Sequence, residues 1–378
     1  MPAGLAPHIA HALLLAAGMA WKVGWSLVLG FLLSAFIQVF VSKKRMSDLL
    51  GGEGAGRIAL ASGFGAASSS CSYASAAIMR TLMAKGAGFI PSLAFLFAST
   101  NLVIELGVVL YLLMGWQFMA AEWLGGVVLI VIMSLLVRLT YPKRLVKQAR
   151  EHAERASSGH DHGAMEAQGN FLARFFKRET YAAVASSFIM DWKMLWKDIA
   201  GGFLIAGFLA EFVPAHLWAD LFASGAHPAM RLVANAALAP LIAVVTFVCS
   251  IGNVPMAAVL WAGGASFGGV IAFIYADLIV LPLLDAYRRY LGLKMAAYIA
   301  AIFYATMVLS AIIMDLIFSA LGWVPEKARD IAAEVTHFAI DYTFWLNILF
   351  GAAALALIFL TRRARHEMAH AHHHHHHG

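Results

Sequence analysis

The chain of 378 residues contains only two cysteines, and each stands in a short polar interruption of an apolar run. The first lies in "SSSCSYASAAIMRTLMAKG", which begins at Ser68 and places Ser72 and Ser75 just after Cys71. The second lies in "FVCSIGNVPMAAVLWAGG", which begins at Phe247 and places Ser250, Gly252, Asn253 and Pro255 after Cys249. A single cysteine in such a setting usually packs as a small hydrophobe. Two at matching breaks give thiol chemistry more weight, because thiolates select soft ions such as Cu(I) or thiophilic species such as trivalent arsenic. Two unliganded thiolates at membrane depth would be costly, so protonated thiols or a neutral, partly substituted substrate fit better. Met79 and Met256 could add soft contacts but read first as core filler. The serines, Asn253 and the exposed helix ends at the breaks offer hydrogen bonds to a substrate or ion.

Carboxylates inside apolar segments are the second group with chemical potential. Glu105 stands mid-span in "ASTNLVIELGVVLY", one turn after Asn101, so the two are expected to share a helix face. Asp277 stands in "FIYADLIVLPLLD". A charged carboxylate at the bilayer centre costs at least about 2.5–3.5 kcal/mol, so each is a candidate to take up and release a proton during a cycle. Asp285 reads as a boundary residue. Asp191, Lys193 and Lys197 read as interfacial anchors. There is no HExxH, no GxSxG and no phosphate-binding loop. The expectation is a protein that is not an enzyme, with no cofactor and no nucleotide domain. No metal ligand set can be named.

The elements that hold these residues follow from composition. The chain is 61% hydrophobic and only 13% charged, against about 25% charged in soluble domains. This composition predicts an all-α polytopic membrane protein. Apolar runs long enough to cross a bilayer fall at roughly 23–42, 88–113, 124–141, 196–213, 267–287, 296–321 and 340–361. Two further stretches, 56–86 and 230–264, are apolar but broken at the cysteine motifs, and are read as re-entrant hairpins. Two cysteines inside apolar segments make no disulfide framework. Met1 to Gly18 lacks the basic start of a cleavable signal. The run His372 to His377 reads as an affinity tag. The net charge of +6 is no nucleic-acid signal, because Lys and Arg collect in short loops.

The two halves resemble each other. "GFLLSAFIQVFVSKKRMSDLL" from Gly30 aligns with "GFLIAGFLAEFVPAHLWADLF" from Gly202, and Cys71-Ser72 aligns with Cys249-Ser250. "SLAFLFAS" from Ser92 then meets "VIAFIYAD" from Val270 in the same register. Charge gives the duplication a direction. Lys43, Lys44 and Arg45 follow the first span, while the matching "PAHLWAD" carries no Lys or Arg. Arg288, Arg289 and Lys294 lie in the second half, while the matching "MGWQFMAAEW" carries none. Positive loops face the cytoplasm, so the repeats are expected to be inverted. The same rule places Arg80, Lys85, the linker and Arg362 to Arg365 inside and the N-terminus outside, with the C-terminus cytoplasmic. The expected organisation is a first membrane repeat over 1–140 and a cytoplasmic linker over 141–180. A second repeat follows over 181–321, then an extra C-terminal span and tail over 322–366 and a tagged tail over 367–378. The linker centre "EHAERASSGHDHGAMEAQGN" reads as a flexible connector or loose helix, and His160-Asp161-His162 as solvated.

Inverted repeats with paired broken helices point to a secondary transporter whose site lies near the midplane, where the broken units meet. That site would hold Cys71, Ser72, Ser75, Asn101, Cys249, Ser250 and Asn253, with Glu105 and Asp277 coupling protons. The partners would be a small-molecule or ion substrate and the bilayer of the cell's inner (plasma) membrane. The paired stretches "SSSCSYASAAIMRTLMAKGA…LAFLFASTNLVIELG" and "FVCSIGNVPMAAVLWAGGASFGGVIAFIYADLIVLPLLD" resemble the predicted permeases related to ArsP-type efflux permeases. The resemblance spans roughly 25–140 and 195–320. It implies a cysteine-bearing midplane site and export of a small thiophilic compound, such as a trivalent organoarsenical, in exchange for protons. The alternative is a transporter or channel for a metal cation or small sulfur compound, with the cysteines structural.

Overall fold

The computed structural model describes residues 5–40, 43–68, 71–158, 178–212, 222, 227–246, 250–262, 264–325 and 342–374; many side chains within its helices, Glu105 among them, lie outside the description. Cys249, the "PAHLWAD" loop and His160-Asp161-His162 also fall outside it. Every regular element among the described residues is helical. In chain order these are α1 (Leu5–Phe40), α2 (Lys43–Leu50), α3 (Ala55–Ser68), α4 (Ser72–Ala84), α5 (Phe89–Asn101), α6 (Ile104–Met114), α7 (Trp116–Thr140) and α8 (Lys143–Ser158). They continue as α9 (Arg178–Phe212), α10 (Pro228–Thr246), α11 (Ser250–Ala262), α12 (Phe267–Tyr275), a 3-10 turn (Ala276–Ile279), α13 (Leu281–Leu291), α14 (Leu293–Ala320) and α15 (Tyr342–His374). Four helical stretches are long and apolar enough to cross a membrane: Trp116–Thr140, Pro228–Val245, Phe267–Leu291 and Leu293–Ala320. The protein is therefore a polytopic, all-helical membrane protein.

Helix boundaries in the two halves keep one spacing. Ser72 opens α4 and Ser250 opens α11, 178 residues later, and both helices run 13 residues. Phe89 and Phe267, which open the next helix in each half, keep the same spacing. Gly86 and Gly264 keep it too, at φ of 99° and 90°, a conformation that favours glycine at the turn into that helix.

At about 1.5 Å per residue, a 13-residue helix reaches about 20 Å and cannot cross a 30 Å hydrocarbon core. The chain meets itself at both ends of the bundle. At one end, Gly88 N donates to Leu50 O (2.7 Å), and the Glu53 carboxylate caps α5 by accepting from Phe89 N and Ile90 N, both at 2.8 Å. Tyr141 Oη (2.8 Å) and Arg138 Nη2 (2.8 Å, to the carbonyl) also bond Glu53. Burial first, then the Glu53 bond, hold the Tyr141 phenol above the usual tyrosine range. At the other end, Arg231 bonds Gly264 O, Asp315 Oδ2 accepts from Gly268 N (2.6 Å), and Trp116 meets Trp323 at 5.3 Å. These two sets of contacts lie at opposite ends of α7 and α14.

Several segments differ from the sequence reading. The expected span 88–113 is two helices, because Val103 is extended at φ −84° and ψ 142°. The polar triplet before it ends α5: Ser99, Thr100 and Asn101 side chains bond back to the carbonyls of Leu96 and Phe97. The second half breaks likewise at the 3-10 turn, with Pro282 in the first turn of α13, where no donor is needed. Asn101 and Glu105 therefore sit on different helices and do not share a face. "MGWQFMAAEW" is no loop beyond Gly115, since α7 begins at Trp116. The linker begins as helix α8, which buries Val146, Ala149 and Ala153 against the bundle. Arg80 is buried, with its guanidinium 4.8 Å over the Tyr290 ring, and is not a loop charge.

The broken stretch Phe267–Leu291 is the most enclosed. In its most apolar window 83% of residues are buried, against 39–50% in the other three spans. Irregular backbone at membrane depth is tolerated only inside protein or beside a cavity, and the break at 276–280 lies at the centre of the packing. Helices α1 and α9 pack as a close pair, with Gly207 against Ala12 and Ala16. Helix α15 joins them through Asn347 Nδ2, which donates to Trp21 O (2.6 Å).

Candidate functional site

The tips of the two broken units meet on one carboxylate. Ser72 Oγ, in the first turn of α4, donates to Asp277 Oδ2 at 2.6 Å. Ser250 Oγ, in the first turn of α11, donates to the same oxygen. The two hydroxyls are 3.5 Å apart. Two serines 178 residues apart thus converge on Asp277, which lies in the 3-10 turn Ala276–Ile279 that interrupts the helix line. Asp277 is 1% exposed and Ser72 is 2% exposed, so the bond between them is shielded from solvent, while Ser250 is partly buried. The second oxygen, Asp277 Oδ1, is buried with no hydrogen-bond partner assigned among the described residues.

The same 178-residue spacing relates the next layer. Ser75 lies one turn along α4 from Ser72, and accepts from Ser99 Oγ at 2.7 Å. In the second half the corresponding pair is Asn253 and Asp277. Asn253 is fully buried, and neither amide atom has a hydrogen-bond partner among the described residues. One half closes its polar pair internally; the other leaves an amide and a carboxylate oxygen open. This difference gives the seam its chemistry, because an unpaired buried polar group costs about 1–3 kcal/mol until something binds it.

The predicted residues separate in this arrangement. Ser72, Ser250 and Asp277 are joined by hydrogen bonds, and Ser75 and Asn253 line the same helix starts. Asn101 is buried but occupied locally, since its Nδ2 donates to Phe97 O (3.0 Å) and Thr100 Oγ1 (2.9 Å). Cys71 caps α4, is partly exposed and precedes Ser72 directly. Its counterpart Cys249 and the Glu105 side chain lie outside the described residues. Met79 is buried core and Met256 packs against it, as filler would. Asp285 bonds Arg288 (2.6 Å) and Arg289 (2.7 Å) on its own helix. No group of three or more His, Cys, Asp or Glu among the described residues is placed to hold a metal.

Two charged residues escaped the sequence reading. Glu122 is fully buried on α7, in the stretch taken for a loop. Asp315, on α14, caps α12 through Gly268 N and lines an open cavity of about 840 Å³ with Arg231, Trp261 and Phe267. The available signal was periodicity: Glu122 opens the apolar run of α7, and Asp315 interrupts the last turns of α14.

Helices long enough to cross a bilayer, packed around a largely buried polar cluster, define a multi-pass membrane protein. The chain belongs to the predicted permease family ArsP_1, whose profile matches residues 8–316. It is 44% identical over 329 residues to Rv2963, a candidate permease of Mycobacterium tuberculosis strain H37Rv, covering 85% of this chain and 80% of that protein. No solved structure gives a significant match.

Proposed function

We propose that the protein is a secondary transporter that moves a small solute through the seam between two re-entrant units of an inverted repeat. One observation carries this reading. Ser72 and Ser250, at equivalent positions of the two halves, share a single oxygen of Asp277. A contact that joins equivalent points of two repeats can open and re-form as the halves rock, which is how alternating access uses such symmetry. The inversion is supported by the opposite ends at which the two broken units close, Leu50 to Gly88 in one and Arg231 to Gly264 in the other.

The solute is proposed to be thiophilic, such as a trivalent organoarsenical, exported in exchange for protons. Cys71 stands beside Ser72, and Cys249 directly precedes Ser250, so the two cysteines flank the seam in sequence. Asp277 would carry the proton, with Glu105 as the second candidate at the start of α6. The test is binding of phenylarsenite to purified protein, with and without thiol alkylation, in wild type, Cys71→Ser and Cys249→Ser. Loss of binding in each variant, with expression and monodispersity intact, is the expected result. Undiminished binding in the double variant would overturn the thiophilic assignment.

A further inference from the structure

Glu122 is buried among groups that leave its carboxyl unanswered. It is fully enclosed, and neither of its oxygens has a hydrogen-bond partner among the described residues. Its position is fixed from both sides. Tyr275 Oη of α12 donates to Ala121 O at 2.9 Å, and a Cβ on Gly125 would overlap the same hydroxyl, so the Tyr275 ring lies across the turn that carries Glu122. Asp277 follows Tyr275 by two residues and is close enough to Glu122 to interact electrostatically. Asp277 Oδ1 and both amide atoms of Asn253 are likewise buried without partners.

The groups packed around this point include no described cation that answers two carboxylates. Helix α12 brings Tyr275, α13 brings Tyr287, whose hydroxyl donates to Leu278 O (3.1 Å), and α4 brings Tyr73. Helix α14 brings Ser310, whose Oγ donates to Gly125 O (3.3 Å), and Met314 beside the same glycine. Arg80 of α4 is engaged by the Tyr290 ring, two turns beyond Ser72. Helix α6 carries Glu105 at its start. An isolated buried charge without partners is strongly disfavoured, so a lone ionised Glu122 is not a resting state.

We propose that Glu122 is a proton-binding residue of the transport site and forms one coupled pair with Asp277. Glu122 holds a proton in the state described here, and the pair carries at most one negative charge at any stage of the cycle. When Asp277 takes up a proton, Glu122 is free to release its own. This inference rests on the reading of the seam as a transport path, but its test needs no substrate.

The experiment is infrared titration of the carboxylic-acid C=O band in the full chain, reconstituted in nanodiscs. At neutral pH the wild type is expected to show the band of a carboxylic acid free of strong hydrogen bonds. Glu122→Gln should abolish it and Glu122→Asp should restore a band. In Asp277→Asn the pH midpoint of the band should be displaced by about one unit or more, as for strongly interacting sites. Absence of the band in wild type, or a midpoint that ignores Asp277→Asn, would overturn the proposal. So would bleaching of the band at constant pH when choline is replaced by sodium, which would assign the site to a metal cation. If Glu122→Gln fails to fold, the wild-type and Asp277→Asn titrations still decide. A wild type that shows the band yet moves no phenylarsenite would defeat the transport reading alone.

Discussion

Ser72→Ala isolates the contact that closes the seam. The hydroxyl donates to a buried carboxylate oxygen at 2.6 Å, and hydrogen bonds to charged groups contribute about 1.5–3 kcal/mol each. Removing it should bias the protein away from the closed seam by that amount, a change of roughly 10- to 150-fold in the open-to-closed ratio. Ser250→Ala should do the same, because its hydroxyl reaches the same oxygen. The two together should depart from additivity by about 0.5–3 kcal/mol, since they share one partner. Cys71, adjacent to Ser72 and partly exposed, is a native reporter. In a Cys249→Ser background, its rate of reaction with a small water-soluble maleimide should rise by at least about tenfold in Ser72→Ala, where opening limits labelling. Equal labelling rates in wild type, both single variants and the double variant would refute the idea that these bonds close the seam.

Gly125→Ala should lower the unfolding temperature, because its Cβ would overlap Tyr275 Oη and force the ring from its place, at a cost of about 1–3 kcal/mol. Gly201→Ala, where nothing lies within 4 Å of the added methyl, should change it little. Glu53→Ala should destabilise by about 0.5–2 kcal/mol in a thermal melt, since it strips the cap from Phe89 N and Ile90 N. Tyr141→Phe, which removes only the Glu53 hydroxyl bond, should cost less. Impermeant labelling of single cysteines introduced at Lys44 and Lys294 should mark one side of the membrane, and labelling at Trp116 and His216 the other. All four on one side would end the inverted-repeat reading.

The seam was legible in the sequence because polar residues in an apolar run have few physical reasons to be there. Ser72, Ser250 and Asp277 stood out on that ground, and the repeat paired the first two before any geometry was known. What the sequence could not show was that Asp277 belongs to a break of its own. An apolar segment from 88 to 113 reads as one helix by length, and only the bonds from Ser99, Thr100 and Asn101 back to their own turn reveal its end at Leu102. The shared face of Asn101 and Glu105 was lost for the same reason. Glu122 was hidden by the opposite error: a charge just before a hydrophobic run reads as loop, yet here the helix begins six residues earlier, at Trp116. Arg80 followed the orientation rule for loop cations but lies under Tyr290, because a guanidinium stacked on a ring can enter a packed interior.

Transport of phenylarsenite into proteoliposomes under an imposed pH gradient tests the central claim most directly. Wild type is expected to concentrate the compound. Asp277→Asn keeps the shape and an oxygen for Ser72 and Ser250 but cannot titrate, and it should still bind the compound while failing to concentrate it. Glu105→Gln, reconstituted in parallel, tests the other candidate in the same assay. Gradient-driven accumulation at the wild-type rate in both Asp277→Asn and Glu105→Gln would contradict the account.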